Sequence, residues 1–343
     1  MLGDCEMFPS TAIFNTRIDD VSRFPAHPQS AEWVAIVGGQ KPFRADWGVN
    51  DNQADYASYW GMPINIVDGK APSTEWPLVS FDYSTSGLSM EPGYPEASDC
   101  AVPDGDGFSI APNCGAVHPS NRRFPFPPAS KLLSEGGHCN DPKTCGDRHV
   151  LVVETGACRL WESFFAYNLS GQWYASTTAA WDLKSLALRP KNRTSADAAG
   201  LPMAPLLVRE AEASAGEINH ALRVNFHDTN IARTFEWPAR HAAGADDPGA
   251  PPFGALLRLK ADFVIPDDWT QQAKAVATAS KRYGMYVSDN GADFHVKGEP
   301  HAKWDTRTFK QLENIKMNDM EFVDLKAITS DPRFSPDSMA ASW

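Results

Sequence analysis

Four carboxylates and three histidines fall where strands or short turns would present them, and acids facing each other across a groove are the equipment for breaking a glycosidic bond. Glu162, in "CRLWESFFAY", shares a strand face with Leu160 and Phe164. A carboxylate on an apolar face is costly to ionise, its pKa rises, and a raised carboxylic acid is what a general acid needs. If Trp161 and Phe165 mark the buried face instead, Glu162 points to water. Asp182 shares a face with Tyr174, Ser176 and Thr178, a polar surface suited to sugar hydroxyls, or else it is a solvated strand end before Lys184-Ser185. Asp197 lies in "TSADAAGLP", where Ser195 has the spacing of a cap. Glu217 and His220 open "GEINHALRVNF", whose period of two puts Ile218, His220, Leu222, Val224 and Phe226 on one face. Both can serve one site only if a bulge near Gly216–Glu217 intervenes; otherwise His220 is a satisfied core histidine and Glu217 a rim charge.

The same residues admit a second chemistry. A lyase needs a base and a cation that neutralises a uronate, and His149, His220 and Arg240 fit those parts. Arg223, Arg240 and His241 are candidate substrate ligands, with Trp173 and Trp181 as rings on which sugars could stack. Packed aromatics that hold down loops are the competing explanation for the tryptophans.

No GxGxxG, Walker loop, HExxH, GxSxG or HxE…CxxC pattern occurs, which removes nucleotide-binding, zincin, α/β-hydrolase and deaminase chemistry as first choices. No cofactor or metal is expected. The net charge of −12 argues against nucleic acid and anionic membranes as partners. No apolar run is long enough for membrane insertion.

The elements that must position these residues are mostly strands. Residues 1–145 are rich in Pro, Gly, Ser and aromatics, with "PDGDGFSIAPNCG" and "FPFPP" as loop chemistry. Residues 148–182 read as a three-strand meander, followed by a polar loop and a short helical turn. Strands are expected at 217–227, around 233–237 and at 255–265. A helix is expected after Asp267, with Lys281 and Arg282 in its last turn and Gly284 as its stop. "MYVSD" reads as a strand, Asn290-Gly291 as a hairpin turn and about 306–316 as a second helix. The expected fold is mainly β: a jelly-roll-like β-sandwich with long ordered loops and a few peripheral helices. One domain over 1–343 is expected, with 1–145 wrapping a strand-rich core at 146–330 and a tail at 331–343.

Six cysteines with no CxxC pair suit three disulfides, Cys5–Cys158, Cys100–Cys114 and Cys139–Cys145, and a secreted, extracellular protein. The sequons at Asn168 and Asn192 are compatible with export. The opening "LGDCEMFP" is neither basic nor continuously apolar, as expected of a mature chain.

The stretches "FPSTAIFNTRID" (8–19), "DRHVLVVETGACRLWE" (147–162), "TSADAAGLPMAPLLVREAEASAGEINHALR" (194–223), "WPARH" (237–241) and "SKRYGM" (280–285) resemble an uncharacterised family of secreted, β-rich microbial proteins. The resemblance implies export and raises interest in the polar residues within these motifs; it implies no established activity. The chain departs from that pattern in carrying more cysteines across 100–145.

Together these residues lead to an extracellular carbohydrate-active enzyme acting on a polysaccharide, by hydrolysis with two of Glu162, Asp182, Asp197 and Glu217 or by elimination. The rivals are a non-catalytic carbohydrate-binding module and a cell-surface or structural protein, in which the polar strand faces are merely solvated.

Overall fold

A computed structural model describes residues 1–86 and 92–343. In chain order the strands are β1 (Arg44–Asp46), β2 (Ile64–Asp68), β3 (Val79–Ser80), β4 (Cys100–Asp104), β5 (Gly107–Ala111), β6 (Val150–Thr155), β7 (Arg159–Phe164), β8 (Tyr167–Leu169), β9 (Gln172–Tyr174), β10 (Thr177–Asp182), β11 (Leu222–Phe226), β12 (Leu256–Leu259), β13 (Met285–Asn290), β14 (His295–Lys297) and β15 (Met320–Phe322). The helices are α1 (Ser30–Val37), α2 (Glu210–Ala215), α3 (Gln271–Arg282), α4 (Thr306–Leu312) and α5 (Lys326–Thr329).

Two sheets matter for the site. The larger runs β1-β14-β11-β13-β12-β15 and the smaller β10-β7-β6-β2. The chain is mainly β, as expected, and among the described residues no barrel closes. The jelly-roll expectation is not met in the pairing. That fold is built from antiparallel strands, whereas β1 with β14, β2 with β6, β3 with β9 and β11 with β13 are parallel.

The meander keeps its order, β6 beside β7 beside β10, but a β8–β9 hairpin is inserted before β10 and pairs with β3. Both faces of β6 are covered. Leu151 and Val153 join the largest apolar cluster, and Val150 and Val152 join a second with Trp161. Such double burial is why "VLVV" reads as an unbroken apolar run.

Several expectations are corrected. The strand predicted at 217–227 shrinks to Leu222–Phe226, because residues up to Ala215 continue helix α2 and 217–221 are irregular. Around 233–237 there are only single bridges, Ala232 to Ala245 and Phe235 to Phe253. Helix α3 is capped by Thr270, whose hydroxyl accepts from Ala273 N, and not by Asp267. Asn290-Gly291 does not turn a hairpin: β14 pairs with β11, so the chain leaving β13 passes the end of β11 to reach its far side.

The large cluster draws Cys5, Phe14 and Trp33 from the loop-rich half together with Leu160, Val224 and Met339. The three disulfides pair as expected, Cys5–Cys158, Cys100–Cys114 and Cys139–Cys145, with Cα atoms 5.4, 5.6 and 5.6 Å apart. Among the described residues no helix is long and apolar enough to cross a membrane.

Candidate active site

A cleft of about 560 Å³ opens where β13 ends, between the two sheets. It is lined by Asp147, His149, Asp197, His241, Asp289 and Asn290, by Ser176, Thr177, Thr194 and Ser195, whose hydroxyls donate to backbone carbonyl oxygens, by Asn192, and by Tyr94 and Phe164. Its charged and imidazole side chains come from four separate stretches, at Asp147–His149, Asp197, His241 and Asp289.

Its floor is an ion triad. Arg223, wholly buried on β11, places one Nη2 2.7 Å from Asp197 and 3.4 Å from Asp289. A register shift makes this contact. Val224 pairs with Val287, but Asn225 pairs with Asp289, so Ser288 is an extra residue in β13. Residues two apart share a face, and the bulge therefore turns Asp289 to the side of Asn225 and Arg223. Asp197 arrives on a tight turn. Its amide donates to Ser195 Oγ at 3.0 Å, its Oδ1 accepts from Ala199 N at 2.9 Å, and Ser195 Oγ donates to Leu201 O at 2.7 Å. Gly200 closes that turn at φ +71°, and a Cβ there would lie 2.6 Å from the Arg193 carbonyl oxygen. One guanidinium faces two carboxylates. Burial raises the Asp197 carboxyl to about 7, Arg223 pulls against that shift, and Asp289 adds to it.

The wall is held by His149. Its Nδ1 lies 2.6 Å from Glu135 Oε2 and its Nε2 2.9 Å from the Ala196 carbonyl oxygen. Both partners accept, so both ring nitrogens donate and the ring is an imidazolium. Burial opposes that charge, but Glu135 and Asp147 overcome it and raise the pKa to about 9. With no lone pair left, His149 is a fixed cation and not the base expected of it. Asp147, two residues earlier, sits at the mouth. Desolvation raises its pKa, His149 lowers it, and Glu135 and Asp289 raise it further; its exposure to solvent tempers all of these. Half-buried His241 turns Nδ1 to the Ala198 carbonyl oxygen at 2.8 Å, which leaves Nε2 as an acceptor in the neutral ring.

The other expected residues lie elsewhere. Glu162 is wholly buried, as is Trp161, so neither face of β7 points to water. Its carboxylate accepts from Met203 N at 2.9 Å and Ala204 N at 2.8 Å, and burial pushes its pKa up to about 7 against those donors. Asp182 is exposed and takes the Lys184 amide at 2.9 Å, a turn residue at a strand end. Glu217 is exposed beyond α2, with no bulge beside it. His220 is buried with Nδ1 2.8 Å from the Ala221 carbonyl oxygen and Nε2 3.1 Å from Glu212, a satisfied core histidine. Arg240 spends its guanidinium on the Arg189 and Pro336 carbonyl oxygens, at 2.6 and 2.5 Å, and on Asp337 at 2.5 Å, which fastens the 331–343 tail. Trp173 stacks on Phe126 at 3.9 Å, and Trp181 is buried under Arg189.

Sequence reading passed over Asp147, Asp289, Asn290, Asn192 and Tyr94. The available signal is a polar end to an apolar strand, in "MYVSDN". Among the described residues the one group of ligand atoms close enough for a metal is Asp4, Cys5 and Cys158, and both its sulfurs are in a disulfide. No family model, curated protein or solved structure matches this chain.

Proposed function

We propose that this chain is an extracellular glycoside hydrolase that holds a polysaccharide in the cleft at the end of β13. The observation that carries the reading is the convergence of Asp147, Asp197 and Asp289, from three separate segments, on one cavity otherwise lined by hydroxyls, amides and rings. Such a lining suits sugars, which offer hydroxyls at their edges and apolar faces to rings. Asp147, at the mouth and with a raised pKa, is the general acid that protonates the glycosidic oxygen as its C–O bond breaks. Asp289, held by Arg223, is the second carboxylate, either attacking the anomeric carbon or taking a proton from water, according to its distance from the acid. Asp197 and Arg223 position Asp289, and His241 Nε2 accepts from a substrate hydroxyl. Three disulfides support placing the protein outside the cell.

Elimination is the weaker chemistry for this site. Both nitrogens of His149 and His220 are engaged, Arg240 is spent on the tail, and no Arg or Lys is among the described residues lining the cleft. Incubation with a polysaccharide panel tests the reading: new reducing ends without absorbance from an unsaturated uronate are expected. Unsaturated products would replace hydrolysis by elimination, and binding without new ends on any polymer would leave a carbohydrate-binding module.

A further inference from the structure

We infer that the cleft is built for a polysaccharide whose sugars carry free amino groups, a cationic polymer of 2-amino-2-deoxy sugars, and not for neutral or uronate chains. This rests on the hydrolase reading of the same cleft and names its substrate class. Three aspartates line the cavity, and the charges that could neutralise them are already committed. Arg223 faces Asp197 and Asp289 at once. The imidazolium of His149 is matched by Glu135 behind it. Partly buried Lys297 pairs with Asp46. The lining therefore holds more negative than positive charge, and Asp147 at the mouth feels Glu135 and Asp289 against the opposing charges of His149 and Lys297.

An ammonium group seated between Asp147 and Asp289 would supply the missing charge and donate to both. A uronate carboxylate there would meet three aspartates with no free cation among the described lining residues. A metal ion is the poorer occupant, because these side chains do not bring three ligand atoms together as a cation site requires. Exposed Asn192 and the ring of Tyr94 offer contacts to the uncharged parts of the sugar. The whole chain, at −12, draws a cationic polymer toward it at long range.

The test compares binding of three hexamers to the full chain by calorimetry: glucosamine, N-acetylglucosamine and galacturonate. Charge-assisted contacts from two carboxylates correspond to about a 10- to 100-fold preference for glucosamine over its acetylated counterpart, weakening as salt rises. Asp147→Asn, at an exposed position, should cut that preference at least about fivefold, while Asp182→Asn, which removes the same charge away from the cleft, should leave it unchanged. Equal or weaker binding of glucosamine, no binding of any hexamer, or equal losses from the two variants would overturn the inference. Hydrolysis of a neutral glucan with no preference for amino sugars would overturn it and leave the hydrolase reading standing. Selective binding of glucosamine without cleavage would do the reverse.

Discussion

His149 and Asp289 show how a residue's partners decide its chemistry. His149 looked like a base because its type allows it, yet two acceptors consume both its nitrogens. Its partner Glu135, whose side chain keeps about a quarter of its surface exposed, lies 62 positions from Asp197, 88 from Arg223 and 154 from Asp289, the residues that complete the floor, and no local pattern links them. The sequence shows Asp289 only at a strand end beside a turn and does not show which way it faces, because an extra residue in a strand, Ser288 here, leaves no mark in a period-two pattern. By contrast, the burial of Leu222, Val224 and Phe226 followed directly from their alternation. The His149–Glu135 pair has a signed pH signature. The folded pKa of His149 is raised from 6.5 to about 9, so its contribution is complete below 6.5 and is lost as pH rises through about 9. That of Glu135 is lowered from 4.5 to about 2, so its share is complete above 4.5 and is lost as pH falls through about 2. Urea denaturation across pH should therefore show the stability gap between wild type and His149→Gln at its widest between 4.5 and 6.5 and narrowing toward 9 and above. A gap that widens above pH 9 would contradict the pairing.

At the scale of elements, β7 and the 195–206 loop are joined by a carboxylate that does no chemistry. Glu162 reaches from β7 to the amides of Met203 and Ala204, which begin a turn of 3₁₀ helix and have no carbonyl before them to bond. The strand pattern leaves Glu162 either on an apolar face or pointing to water, because period two does not tell which face of β7 is covered when both are, and it cannot say which loop lies above the strand. Glu162→Ala would leave two buried N–H groups unpaired, at a cost of ~2 kcal/mol or more. Because the same loop carries Asp197 into the cleft, the variant should also unfold at lower denaturant and cleave more slowly at 25 °C while still folded. Stability within ~0.5 kcal/mol of wild type in equilibrium unfolding would refute this bridging role.

For the whole molecule, the loop-rich half is a structural partner of the strand-rich half. Phe14 meets Tyr286 edge-on at 5.6 Å, Ile18 N donates to the Arg282 carbonyl oxygen at 2.7 Å, and Arg258 reaches the Phe24 carbonyl oxygen at 3.1 Å. A fragment of residues 146–343 would expose the face those residues cover and lose the Cys5–Cys158 link, so it should be insoluble or lack a cooperative thermal transition. A soluble fragment melting cooperatively would show two independent domains. Composition does not reveal the cleft, whose walls come from residues as far apart as Tyr94 and Asn290. The two carboxylates proposed for catalysis can be removed with little change in shape, since Asn is nearly isosteric with Asp. The most direct measurement is the rate of reducing-end release from the polymer that wild type cleaves, set beside Asp147→Asn and Asp289→Asn at equal folded concentration. Each substitution should lower the rate about 10²- to 10⁴-fold with Asp182→Asn unaffected; wild-type rates from both cleft variants would contradict an active site at the end of β13.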